Sequence, residues 1–170
     1  MENTIELLKE AEVPLFWPIF SRVLTTQFPG YAPEVIHYFL NTIYTPPVYQ
    51  YWINTTAKFV LVARDQQTGI IGFALIDRPY GGVSLCRWLG VLPGYQRQGI
   101  GSKLIQEWEK QAGQQGAHKL EVAAQPQAND FYAKCGLKLE GKRQLSYFGI
   151  DQYIYGKVIG QPDPKLMVKS

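Results

Sequence analysis

The sequence predicts a mixed α+β domain: a mostly antiparallel sheet of about seven strands with about four helices. Three observations predict it. Two helix-periodic stretches near the start are followed by three β-branched runs joined by short turns. The third run feeds a glycine-containing loop that opens an amphipathic helix. A strand, a short helix and two more strands complete the pattern, which places one strand–helix–strand crossover at its centre.

Each element has its own signal. Residues 4–8 (Thr-Ile-Glu-Leu-Leu) read as a short first strand. Over 15–27, Leu15, Phe16, Ile19, Phe20, Val23 and Leu24 recur at helical spacing, with Pro18 in the first turn, where its missing N–H is tolerated. Phe28-Pro29-Gly30 stops that helix. Pro33 opens a second one with Val35, Ile36, Phe39, Leu40 and Ile43 inward, and Thr45-Pro46-Pro47 ends it. Residues 48–56 are aromatic and carry no clear period. Runs at 58–63, 70–76 and 83–91 are strand-like and separated by turn residues, which predicts an antiparallel meander. The helix at 100–115 buries Ile100, Leu104, Ile105, Trp108 and Ala112 and is closed by Gly116. A strand at 119–124, a short helix at 126–135 ended by Gly136, and strands at 137–147 and 153–159 follow.

Bulk composition excludes several classes. A chain of 170 residues fits one domain, read here as 1–160, with a flexible tail at 161–170 that holds two prolines and mixed charge. The hydrophobic fraction is 46% and the charged fraction 18%, a globular balance. A net charge of +3 is too weak for a nucleic-acid surface. No apolar run reaches the roughly 18 residues of a membrane span. The acidic start Met1-Glu2-Asn3-Thr4-Ile5-Glu6 lacks the order of a signal peptide, so a cytoplasmic location is expected. Cys86 and Cys135 read as free buried thiols. His37 and His118 show no ligand spacing, so no metal is expected.

The chemistry concentrates in Val91-Leu92-Pro93-Gly94-Tyr95-Gln96-Arg97-Gln98-Gly99-Ile100-Gly101-Ser102. A strand feeding a glycine loop into a helix aims backbone N–H groups at one place, where the helix dipole also favours negative charge. Gly99 and Gly101 allow close approach of a ligand to the main chain. The pattern therefore predicts an anion site for phosphate or pyrophosphate. A Walker A loop fails because Ile100 stands where its lysine belongs. A dinucleotide fingerprint fails because Leu104 stands where its third glycine belongs.

Gln96-Arg97-Gln98-Gly99-Ile100-Gly101 matches Gln/Arg-x-x-Gly-x-Gly/Ala and resembles the loop of the GCN5-related N-acetyltransferase (GNAT) family. It follows Leu89-Gly90-Val91 and Pro93, as in that family. A second block, Leu120-Glu121-Val122, Ala128 and then Phe131-Tyr132-Ala133-Lys134-Cys135-Gly136-Leu137, is similar to the family's strand–helix element. The resemblance is strong over 58–159, weak over the first 57 residues and absent from the tail.

The resemblance implies acetyl-coenzyme A as co-substrate, with no metal. Backbone groups of Leu89, Gly90 and Val91 would pair with the pantetheine arm, and one amide would polarise the thioester carbonyl. Gln96, Arg97, Gln98, Gly99, Ile100, Gly101 and Ser102 would hold the pyrophosphate. The Arg97 side chain either meets a phosphate or is solvated. Tyr132 stands at the position of the family's acid and would protonate the departing thiolate. Asn129 either reaches the pantetheine or the active-site water, or is a surface residue.

Two positions depart from the pattern. Gln125 stands where the family often has Asn, and 83–91 carries no carboxylate to act as base. Glu121, Asp77 and His37 are candidates elsewhere; the default is a water chain to solvent. Cys86, mid-strand and without a His partner, is a poor nucleophile candidate.

The family binds acceptors between its first helices and the last strand–strand loop. Here those regions hold Trp17, Phe20, Tyr31, Tyr38, Tyr44, Tyr49, Tyr51, Trp52, Tyr147 and Phe148, without an acidic cluster. That disfavours polycationic acceptors and allows an aromatic or apolar amine. Trp52 and Tyr49 are the picks for an acceptor wall; otherwise these rings serve the core or a homodimer contact. The expected function is transfer of an acetyl group to a primary amine of a small molecule or protein by direct attack in a ternary complex. The alternative is a non-catalytic coenzyme A-binding or partner-binding domain of the same fold. No nucleic-acid or membrane partner is expected.

Overall fold

The computed structural model describes residues 3–169; Met1 and Glu2 of the segment read for a signal peptide, and Ser170 of the tail, lie outside them. Seven strands form one sheet: β1 (Thr4–Leu7), β2 (Lys58–Asp65), β3 (Gly69–Asp77), β4 (Val83–Val91), β5 (Lys119–Ala124), β6 (Lys138–Arg143) and β7 (Gln152–Val158). Their spatial order is β1-β2-β3-β4-β5-β7-β6. Neighbours are antiparallel except β4 and β5, which run parallel. The parallel pair is the expected crossover: α4 (Ile100–Gln114) carries the chain from the end of β4 back to the start of β5.

Helices cover both faces. α1 (Val13–Gln27), α2 (Pro33–Tyr38) and α3 (Pro46–Asn54) lie on one face, over a core of Phe16, Phe20, Tyr49, Val60, Phe73 and Trp88. α4 and the short α5 (Asn129–Lys134) lie on the other, over Leu61, Ile71, Leu104, Trp108 and Tyr132. Alternation along β2 sends Val60 and Val62 to the first core and Leu61 and Ala63 to the second. β3 runs between both layers, so Ile70 to Ile76 reads as an apolar run interrupted only by Gly72. A polar pair at the second core satisfies itself: Trp108 Nε1–H donates to Ser84 Oγ at 2.9 Å.

Two local readings change. Pro46 ends the second helix but also opens α3, because a proline at the first helical position loses no helix bond. Before it, α2 continues into a wider five-residue turn at Phe39–Ile43. The strand expected over 137–147 closes at Arg143, and the chain then loops until β7. The tail carries a one-turn helix α6 (Pro164–Met167), capped by Asp163 Oδ1, which accepts from the Lys165 N–H at 2.8 Å. Leu166 rests against Gly116.

Candidate active site

β4 changes partner halfway along its length. Val83 to Cys86 pair with β5, and Cys86 to Val91 pair with β3. The switch is a β-bulge: Leu75 faces Trp88 and Ile76 faces Cys86, which leaves Arg87 as the extra residue. Beyond Cys86 and Val122, β4 and β5 separate. The Leu92 N–H bonds to the Ile71 carbonyl at 2.8 Å, so alternation turns the N–H and C=O of Leu89 and Val91 away from β3 and into the gap. Two amides occupy one of these groups: Gln27 Nε2 and Gln96 Nε2 both donate to the Val91 carbonyl, at 2.9 and 3.0 Å. Gln27 is the last residue of α1, so this contact ties the first helix to the open edge.

The loop after β4 braces itself. Gln98 Nε2 donates to the Gly94 carbonyl at 2.7 Å, and the Tyr95 hydroxyl lies 2.6 Å from Thr68 Oγ1. Gly94 and Gly99 hold φ of 90° and 80°, which suits glycine; Arg97 holds 59°, which does not. Gly99 caps α4, and Lys103 N–H closes onto its carbonyl at 3.0 Å. The amides of Ile100, Gly101 and Ser102 therefore have no acceptor within the helix, and no acidic residue stands in its first turn. Gly101 is needed for space: a Cβ there would come within 2.9 Å of the Phe131 ring.

Across the gap, α5 presents Tyr132. Its ring is buried, 5.0 Å from Phe131 and 6.1 Å from Tyr155. Burial pushes the Tyr132 hydroxyl well above its usual range, and the neighbouring Cys86 and Cys135 add to the shift. Burial likewise pushes the Cys86 thiol up to about 12, with Asp77 adding to it and a hydrogen bond with the Trp88 backbone opposing it, so this thiol stays protonated and unreactive.

A single cleft of about 770 Å³ brings together Leu89, Gly90, Val91, Gln96, Arg97, Gly99, Ile100, Gly101, Ser102 and Tyr132. Gln98 and Asn129 fall outside its lining: Gln98 braces the loop, and Asn129 starts α5 with its buried Oδ1 unpaired. Tyr49 and Trp52 also fall outside. Tyr49 is fully buried against Phe16 and Phe20, and Trp52 packs on Tyr49 and beneath Lys58. The rings that do reach the cleft include Phe28, Tyr31, Phe39, Tyr44, Trp88 and Phe148. Of these, Phe28, Phe39 and Trp88 carry no local mark in the sequence. Gln27 and Gln152 are equally unmarked.

Among the described residues, the charged side chains lining the cleft are Arg87 and Arg97, with no carboxylate. The three candidate bases lie elsewhere. Asp77 is engaged by Lys58 and by Arg87 Nε at 2.7 Å. Glu121 lies 3.9 Å from Lys119 Nζ. His37 is exposed beside Asn41. Among the described residues there is also no group of three or more His, Cys, Asp or Glu able to hold a metal ion, and no helix long and apolar enough to cross a membrane.

A mixed sheet that splays beside a glycine-capped helix, with a buried tyrosine across the gap, defines the acetyltransferase fold class. The sequence places the chain within it: residues 18–137 match the Acetyltransferase (GNAT) family, and the chain belongs to that family. Solved structures share the fold. The PaiA N-acetyltransferase from Thermoplasma acidophilum, in complex with coenzyme A, superposes with a TM-score of 0.78 at 19% identity, over 93% of this chain and 99% of that one. YncA from Salmonella typhimurium, with its cofactor acetyl-CoA, gives 0.75 at 15% identity, over 96% and 99%. The ribosomal-protein-S18-alanine N-acetyltransferase from Escherichia coli gives 0.67 at 19% identity, over 96% and 97%. No curated protein sequence matches the chain.

Proposed function

We propose that this protein is an N-acetyltransferase that moves an acetyl group from acetyl-coenzyme A to a primary amine by direct attack in a ternary complex. The observation that carries the reading is the convergence of three parts in one cleft: the free β4 edge, the amides at the start of α4, and Tyr132. Coenzyme A and acetyl-CoA in the PaiA and YncA structures support it.

The residues fit a coenzyme A thioester. The Leu89 N–H and C=O and the Val91 N–H face the gap and suit an extended amide-bearing arm, while the Val91 C=O is held by Gln27 and Gln96. Amides of Ile100, Gly101 and Ser102 suit a pyrophosphate, with Arg97 as the nearby cation. When bound, the thioester supplies an activated acetyl group and a thiolate leaving group. An outward amide at Leu89 or Val91 would stabilise charge developing on the acyl oxygen. Tyr132, held protonated by burial, would give its proton to the departing sulfur. Gln98 would act through the loop it braces, and Asn129 through the start of α5. With no carboxylate on the cleft wall, the acceptor proton would leave through water.

That missing carboxylate is also the observation favouring the second reading, a non-catalytic coenzyme A-binding domain. Initial rates separate the two. With acetyl-coenzyme A and an amine both varied, the ternary-complex reading predicts intersecting double-reciprocal lines. Parallel lines would mean a covalent acetyl-enzyme, and no thiol release with any amine would favour the binding domain.

A further inference from the structure

Next to the β4 edge, the cleft runs into a cluster of aromatic rings. Trp88, one residue before Leu89, is its floor and is 7% exposed. Phe28 meets it edge-on at 4.9 Å and 89°, Phe39 and Tyr44 at 5.7 Å, and Tyr31 at 5.9 Å. Phe148, from the loop between β6 and β7, stands edge-on to Phe39 at 4.7 Å and remains half-exposed. Phe148 holds φ of 60°, a costly conformation for a bulky apolar residue, so its place over the rings is kept against local strain.

The polar groups here are neutral. Burial raises the Tyr31 hydroxyl to about 12, with Tyr44 adding to the shift and Gln125 opposing it; burial raises Tyr44 as well. Gln125 is buried, its Oε1 accepts from Gln127 Nε2 at 2.7 Å, and its side chain meets the Tyr31 hydroxyl. The two charged side chains on the cleft wall are both arginines.

We infer that the acceptor is a primary amine on a flat aromatic body with no second cationic group, and that its ring lodges between Trp88 and Phe148 while its nitrogen points at the Leu89 edge. This rests on the acetyltransfer reading above and names its substrate class. A flat ring can pack on the aromatic faces and edges that line the cleft in a way that an alkyl chain of equal length cannot. A second ammonium would find no free carboxylate there, because Asp77, the acid paired with Arg87, is already shared with Lys58.

The test follows thiol release from acetyl-coenzyme A with 2-phenylethylamine, hexylamine and spermidine, on the wild type and on Phe148→Ala and Phe148→Leu. Acetyl-coenzyme A affinity of each protein is measured by calorimetry as a separate readout. The inference expects kcat/KM for the aromatic amine to exceed both others by at least about tenfold. Both variants should lose most of that preference, with Phe148→Leu keeping bulk but not the ring. Hexylamine or spermidine matching the aromatic amine, or variants that slow all three alike, would overturn it. Loss of acetyl-coenzyme A binding in the wild type would instead bring down the acetyltransfer reading, and this inference with it.

Discussion

Tyr132 is useful as an acid only while it keeps its proton, and its burial ensures that it does. A tyrosine whose folded pKa lies above 10 is lost as a donor only when pH rises through that raised value. No alkaline limb from Tyr132 is therefore expected below pH of about 10. With no base on the cleft wall, kcat/KM should rise about tenfold per pH unit until the acceptor's own pKa and then level. A break at a lower pH that disappears in Glu121→Gln would identify a base after all. Tyr132→Phe should lower kcat by about 10²-fold or more while acetyl-coenzyme A affinity stays within about twofold. An unchanged kcat would reduce Tyr132 to a core ring. Burial keeps the proton on Cys86 in the same way, and a thiol that keeps its proton is inert as a nucleophile.

At the scale of elements, the site depends on β4 being released by β5 at the Arg87 bulge and held by α1 from behind. Gly90 is the close point: a Cβ there would overlap Val23 Cγ1 on α1 and approach the Phe73 ring within 3.4 Å. Gly90→Ala should destabilise the fold by roughly 1–3 kcal/mol, because backbone and a packed valine must both move. Denaturant unfolding checks this; a change under about 0.5 kcal/mol would mean α1 is free to shift. The same elements show what was legible beforehand. Helical periods mark α1 and α4, β-branched runs bounded by turn residues mark β2 to β4, and the glycine loop is readable because its spacing is local. α3 was missed because its prolines read as a stop and its aromatics gave no period. The end of β6 was overrun because Leu145, Tyr147 and Phe148 carry strand-like side chains, although Leu145 and Phe148 hold positive φ. Aromatic character alone singles out Tyr49 and Trp52 in the sequence. Which rings turn to the cleft depends on the packing of three helices against β4, and no local pattern encodes that.

The whole molecule is two helical layers pressed on one sheet, and the sheet opens only where its parallel pair ends. That opening gathers residues far apart in the chain: Gln27 from α1, Leu89 and Val91 from β4, Ser102 from α4, and Tyr132 from α5. The family defines the fold, and the cleft's own chemistry narrows the reaction. The most direct test is a calorimetric titration of the purified protein with acetyl-coenzyme A, with ATP and NAD as comparison ligands. The account predicts one site that takes acetyl-coenzyme A with micromolar affinity or better and takes neither of the others. Binding of ATP or NAD in place of acetyl-coenzyme A would contradict it.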